Sequence, residues 1–229
     1  MLEMLTPELM AAFRDLDTCS VSNAIETFDV RLRNEGFADS SVRCLTPRPH
    51  SMAGYAATAR FRCSNPPMGH RYYDRTDWWK YVLTIPEPRV LVFQDLEERP
   101  GLGAVIGEVH ASVLLALGCI GAVTNGAVRD LPAIEATGFH LFAGNTAVSH
   151  AYVHLVDFGK PVVVGGLHIR PGDLIQGDCH GVQTVPREIA AQVPARAREM
   201  QVGEQRVIDY CRSSHFALDG LKRMVEALG

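Results

Sequence analysis

The residues with the most chemistry to offer stand in two short blocks, Gly107-Glu108-Val109-His110 and Asn125-Gly126-Ala127-Val128-Arg129-Asp130. Gly107 before Glu108 reads as the end of a loop and the opening of a helix. The N–H groups of Glu108, Val109 and His110 at such a terminus can bind a carboxylate or phosphate with no side chain involved. Glu108 adds a first-turn acid, which in the plainest reading only complements the helix dipole. In the second block Asn125-Gly126 follows an apolar run and reads as a turn, which sets Arg129 and Asp130 at the carboxyl end of a strand. Ligand crevices of open α/β sheets form at such ends. Arg129 carries the planar fork that grips a carboxylate, and Asp130 is a hard oxygen donor. A surface ion pair or a helix cap would use the same two residues. Brought together, the blocks can hold one small anion and one divalent cation.

A run of alternating elements must position these residues. The pattern predicts a strand over 89–94, a glycine-rich loop over 101–107, a helix to about 117, a strand over 121–124, a helix over 131–136 and a strand over 140–143. This β-α-β-α-β order implies parallel pairing. Upstream, Thr6 caps a helix with Pro7 at its first position, running to about Phe13. A second helix spans 20–28 with Val21, Ala24 and Ile25 on one face. Residues 29–50 are irregular, 52–63 form a strand, and 74–83 a helix carrying Trp78 and Trp79. Downstream, a hairpin turns over Gly165-Gly166, Pro171-Gly172-Asp173 is a tight turn, and 174–177 and 181–185 are short strands. Helices follow from 187 to about 210 and from 215 to 228. Gly101-x-Gly-x-x-x-Gly107 is no dinucleotide fingerprint, because residues 95–100 separate it from the preceding strand.

At 229 residues, 47% apolar and 21% charged, the chain reads as one domain over 1–229, with a core at about 15–186 and helices over 187–229. A formal net charge of -4 excludes a broad grip on nucleic acid. No apolar run reaches the roughly 18 residues of a membrane span, and no basic segment followed by an apolar one opens the chain, so a cytoplasmic protein with no membrane partner is expected. Six cysteines without a CxxC pair read as reduced, mostly buried apolar residues rather than a disulfide frame or zinc site.

Several residues carry weaker signals. His150 and His154 at i, i+4 could share a helix face and bind a metal, or make an interface or substrate contact. His180 reads as a turn cap. Trp78, Trp79, Tyr72 and Tyr73 read as core or subunit contact, or as a lid over a bulky substrate. Glu199 or Glu204 could enter a neighbour's site.

Gly107-Glu108, the block Gly118-x-x-Gly121-Ala122-Val123-x-Asn125-Gly126-Ala127-Val128-Arg129-Asp130, Gly138-Phe139-x-x-Phe142-Ala143, and Val164-Gly165-Gly166-Leu167-x-Ile169-x-Pro171-Gly172-Asp173 through Gly181-Val182 and Val185-Pro186 together resemble one family. It is the regulator-of-ribonuclease-activity-A-like (RraA-like) family, over roughly residues 15–186. That family includes the 4-hydroxy-4-methyl-2-oxoglutarate aldolases and carries the misnomer "demethylmenaquinone methyltransferase".

The resemblance implies an α/β fold of the swivelling β/β/α type, with mixed sheets, flanking helices and a C-terminal helical extension. It implies homotrimers or hexamers with the active site near a subunit interface. It also implies that Arg129 and Asp130 bind substrate and a divalent metal, Mg²⁺ or Mn²⁺, that Glu108 holds a metal-bound water, and that the backbone of Gly107, Glu108, Val109 and His110 cradles a pyruvoyl carboxylate. The expected activity is metal-dependent cleavage of a 2-oxo acid, by retro-aldol reaction to pyruvate or by decarboxylation of oxaloacetate. Such sites suit Mg²⁺, which needs only one or two carboxylates besides substrate and water. A Schiff-base route needs a desolvated lysine, and Lys80, Lys160 and Lys222 lie in neither block. The alternative is a non-catalytic protein that binds and regulates an enzyme such as a ribonuclease. Asn23 and Ala133 stand where relatives carry acids, which leaves the substrate range open.

Overall fold

The computed structural model describes residues 4–68 and 75–226. Its elements are α1 (Pro7–Asp15), α2 (Thr18–Glu26), β1 (Arg43–Cys44), β2 (Met52–Arg62), α3 (Arg75–Thr84), β3 (Arg89–Asp95), β4 (Ala104–Ile106), α4 (Glu108–Ala116), β5 (Cys119–Val128), α5 (Leu131–Ala136), β6 (His140–Thr146), β7 (His154–Phe158), β8 (Val162–Val164), β9 (Leu167–Ile169), β10 (Leu174–Asp178), β11 (Gly181–Val185), α6 (Val193–Arg212) and α7 (Leu218–Glu226). One mixed sheet has the order β1-β6-β5-β3-β2-β10-β11, with β4 added beside β5 and β7 beside β2. The expected parallel pairing holds for β3 with β5 and β5 with β6, and β2 also runs parallel to β3. The α/β fold with flanking helices and a C-terminal helical extension is as expected.

Strand alternation divides the core between the two faces of the sheet. Leu91 and Phe93 join the cluster packed against the helices, while Val90 and Val92 join the cluster under the β8-β9 hairpin. Both faces are therefore covered, and β2 and β3 are buried along almost their whole length. Gly165 and Gly166, at φ 56° and 73°, supply the left-handed pair that the β8-β9 turn requires.

Three expectations need correction. Asn125-Gly126 is no turn, because β5 continues through it to Val128. The Asn125 side chain takes over backbone bonding to β3, its Oδ1 accepting from Asp95 N at 2.8 Å and its Nδ2 donating to Asp95 O at 3.1 Å. Gly126 is there because a Cβ would stand 2.7 Å from Phe61 Cζ. Second, His150 and His154 share no helix, since His150 lies in a turn and His154 opens β7. Third, only Cys63 and Cys119 are buried; Cys44 is half-buried, and Cys19, Cys179 and Cys211 are exposed.

Trp78 is core, its ring 5.6 Å from Tyr81 and 5.5 Å from Phe93, whereas Trp79 is half-buried. Tyr72 and Tyr73 lie outside the described residues. The C-terminal helices begin later than expected, α6 at Val193 and α7 at Leu218. Among the described residues no helix is long and apolar enough to cross a membrane.

Candidate functional site

β4 and β5 run parallel; residues 107–110 follow β4, and Arg129 and Asp130 follow β5. Gly107 leaves β4 as the N-cap of α4, with no side chain to bond the helix terminus. The missing cap comes from the other block: Asp130 Oδ2 accepts the Glu108 N–H at 3.0 Å. Asp130 itself stands at the N-cap of α5 yet makes no cap bond there. Its backbone is left-handed, φ 59° and ψ 35°, a region uncommon for residues with a side chain but better tolerated by Asp. Hydrogen bonds on both sides fix that conformation, from Arg129 N to Ile106 O (2.9 Å), Ala147 N to Val128 O (3.0 Å) and Ile134 N to Asp130 O (3.0 Å).

Arg129 lies beside the same carboxylate, Nε 3.6 Å from Asp130 Oδ2, and Nη1 reaches Val148 O at 3.5 Å. Both side chains are partly open to solvent, 37% and 43% exposed, so neither is locked in a buried pair. Gly107 makes this packing possible. A Cβ there would stand 2.6 Å from Asp130 Oδ2 and 3.1 Å from Arg129 Nε. Gly107, Glu108, Val109, His110, Arg129 and Asp130 thus meet at one place. The expectation of three open N–H groups changes in one respect: Asp130 occupies that of Glu108. Among the described residues those of Val109 and His110 have no hydrogen-bond partner.

The six residues line a cavity of about 850 Å³. Trp78, Trp79 and Phe93 form its apolar wall, and Arg75 and Arg129 bring the cations. His110 Nδ1 lies 2.9 Å from Val105 O, and because a carbonyl only accepts, that nitrogen carries the proton and Nε2 presents its lone pair. Burial pushes the His110 pKa down, which holds the ring neutral. His150 and His154 also line the cavity, each with Nδ1 bonded to a backbone carbonyl, Ala151 O (2.8 Å) and Tyr152 O (2.7 Å). Among the described residues neither belongs to a cluster of three ligating groups. Trp79, expected as core, subunit contact or lid, lines the cavity, and Arg75 is an addition that no spacing rule linking α3 to a block some thirty residues on could supply.

The loop behind Gly107 is held by buried Asp95, whose carboxylate accepts from Gly101 N at 2.9 Å and Glu97 N at 3.0 Å. Glu97 in turn accepts from the backbone of Cys63 and Ser64, so this acidic cluster is a loop clamp. The carboxylates at the cavity are those of Glu108 and Asp130, and among the described residues they belong to no group of three ligating side chains. Hard oxygen donors in that number fit Mg²⁺ or Mn²⁺ better than the nitrogen and sulfur cages of zinc. No lysine lines the cavity; Lys80 pairs with Asp77 and Lys160 with Asp157. Glu199 on α6 pairs with Arg196 at 2.8 Å, and Glu204 lies on the same exposed helix.

A family model described as RraA-like, Aldolase/RraA, matches residues 18–183. A protein of Halalkalibacterium halodurans named "Putative 4-hydroxy-4-methyl-2-oxoglutarate aldolase" is 33% identical over 103 residues, 44% of this chain and 49% of that protein. The match thus spans about half the length of that relative. Among solved structures, an uncharacterised protein of Pseudomonas syringae pv. tomato is similar over 97% of this chain and 96% of its own, with 24% identity and a TM-score of 0.74. Streptomyces coelicolor RraAS2, described as an unusual member of the RNase ES inhibitor RraA protein family, is similar over 90% of this chain and 98% of its own, with 20% identity and a TM-score of 0.70.

Proposed function

We propose that this chain, which belongs to the RraA-like family, is a divalent-metal-dependent carbon–carbon lyase acting on a small 2-oxo acid. The observation that carries the reading is the meeting of Arg129, Asp130 and Glu108 at the N-terminus of α4, inside one cavity. Asp130 held in a left-handed conformation beside a cavity of about 850 Å³ supports the lyase reading over a purely regulatory surface.

In this reading Arg129 and the N–H groups of Val109 and His110 hold the substrate carboxylate. Asp130, with Glu108 acting through water, would hold Mg²⁺ or Mn²⁺, and that cation would supply Lewis-acid stabilisation of the charge that develops on the keto oxygen. Glu108, exposed at the first turn of α4, takes the proton of the C4 hydroxyl through an intervening water. Breaking C3–C4 then leaves its electron pair on the pyruvoyl fragment, and protonation at C3 gives pyruvate. Loss of CO₂ from oxaloacetate passes through the same charge distribution, so one site serves both reactions. The trimer or hexamer belongs to the same proposal: Val109, Val148 and Tyr152, all exposed and at or beside the cavity mouth, are apolar surface that a subunit contact would cover.

The test is pyruvate release from 4-hydroxy-4-methyl-2-oxoglutarate and from oxaloacetate, with Mg²⁺ and with EDTA. Release above the metal-only background that EDTA abolishes is expected. Absence of release from folded protein would move the account to the regulatory binding role.

A further inference from the structure

Cys179 and His180 are the two turn residues of the β10-β11 hairpin, between the paired Asp178 and Gly181. Their backbone does not explain their identity. Neither adopts a positive φ, only Gly181 does, at 140°, and such short turns usually carry Asn or Gly. Yet three different donor atoms converge there. His180 Nδ1 lies 3.6 Å from Cys179 Sγ and 3.2 Å from Asp178 Oδ1, and the ligand atoms of the three residues all fall within 4.8 Å of one another.

Those separations can be compared with a coordination sphere. Tetrahedral zinc, with its usual bonds to sulfur, nitrogen and oxygen, has an S···N edge of about 3.6 Å and an N···O edge of about 3.3 Å. Both distances in the structure are close to these edges. The carboxylate is also held in place beforehand: Asp178 Oδ1 accepts from Thr18 Oγ1 (2.7 Å) and His180 N (2.8 Å), and Oδ2 accepts from Thr18 N (2.7 Å). Asp178 is 9% exposed, whereas His180 is 57% exposed and Cys179 is open as well, so an ion has a path in.

We propose that Asp178, Cys179 and His180 form a binding site for a borderline-soft divalent cation, Zn²⁺, with three protein ligands and an outward fourth position filled by water. The site lies on the β10-β11 hairpin, outside the cavity of Arg129 and Asp130, and does not depend on the lyase reading. Cys19, which directly follows Thr18, stands beside it. Its thiol is pushed up by burial and then by the carboxylates of Asp17 and Asp178, with Cys179 adding to the effect. Zinc would offset that negative charge, and it would tie the first turn of α2 to the hairpin end through Asp178.

The test uses the full chain with Zn²⁺ and with Co²⁺ as a spectroscopic substitute. In Asp130→Asn, which removes the carboxylate proposed to hold the cavity cation, one Zn²⁺ per chain is expected to bind, and Co²⁺ is expected to give a thiolate charge-transfer absorption. Cys179→Ser should remove that absorption, and both Cys179→Ser and His180→Ala should weaken Zn²⁺ binding at least about tenfold. Both residues are exposed turn residues, and circular dichroism checks that the variants keep their fold. Asp130→Asn should leave the Co²⁺ thiolate absorption intact, because the cavity carboxylates supply no sulfur ligand. The proposal is overturned by absence of stoichiometric binding, by an absorption that survives Cys179→Ser, or by one lost in Cys63→Ser. The first outcome leaves His180 and Asp178 as a plain hydrogen-bonded pair.

Discussion

Asp130 caps a helix that is not its own. It occupies the N-cap of α5, but its carboxylate turns back to accept the Glu108 N–H of α4 at 3.0 Å. The left-handed backbone at φ 59° turns it, so a strained conformation aims the carboxylate to which the proposed function assigns the cation.

Because the strain and the cap act in opposite directions on stability, substitutions at Asp130 should separate structure from activity. Asp130→Ala loses the cap and keeps the strain, and should destabilise the fold by about 1–2 kcal/mol. Asp130→Gly loses the cap but relieves the strain, and should stay within about 1 kcal/mol of the parent. Both should lose pyruvate release. Urea unfolding of the pair checks the order, and equal stabilities would show that the conformation is unstrained.

Gly107→Ala tests the close approach at the same spot. The φ of -135° suits alanine, so the effect is steric, from a Cβ 2.6 Å from Asp130 Oδ2. Displacing that carboxylate by a fraction of an ångström should lower kcat/KM about 100-fold, with Tm almost unchanged. A variant with full activity would show that Asp130 need not lie where it does.

The only two tryptophans of the chain, Trp78 and Trp79, both line the cavity. Intrinsic fluorescence therefore reads ligand entry directly. Titration with oxalate in the presence of Mg²⁺ should change the emission, and Arg129→Met should raise the apparent Kd at least about tenfold through loss of the fork on the carboxylate. An unchanged Kd in that variant would remove Arg129 from substrate binding.

Burial depresses His140 to about 4, with Arg48 and Arg14 adding to the effect. An unfolded histidine titrates near about 6.5, so between these values the unfolded chain binds the extra proton. His140 thus contributes stability that is complete above about pH 6.5 and is lost as pH falls toward 4. The urea midpoint should fall on acidification through this window, and His140→Gln should flatten the slope. A slope unchanged by the substitution would show that His140 does not report on folding.

The path from sequence to site was legible where local rules suffice. The start of α4 at Glu108, the short α5 over Leu131–Ala136 and the Gly165-Gly166 hairpin follow from caps, proline and glycine placement. Asn125-Gly126 misled because the same dipeptide that signals a turn here serves tertiary needs, with Asn125 bonding the β3 backbone and Gly126 making room for Phe61. Neither partner is near in sequence. Spacing brought Glu108 and Asp130 to the same strand ends, but not the left-handed turn that makes Asp130 the cap of α4. Nor could it show that Asp178, Cys179 and His180 point their donor atoms together, because turn residues have no fixed facing.

The most direct test compares parent chain and Asp130→Asn for Mg²⁺-dependent pyruvate release from 4-hydroxy-4-methyl-2-oxoglutarate and oxaloacetate. Asparagine keeps an oxygen acceptor for the Glu108 N–H and tolerates the left-handed backbone, so the fold and Tm should hold. The account predicts metal-dependent turnover in the parent and a loss of at least about 100-fold in the variant. Equal turnover in both proteins, or none in either, would contradict it.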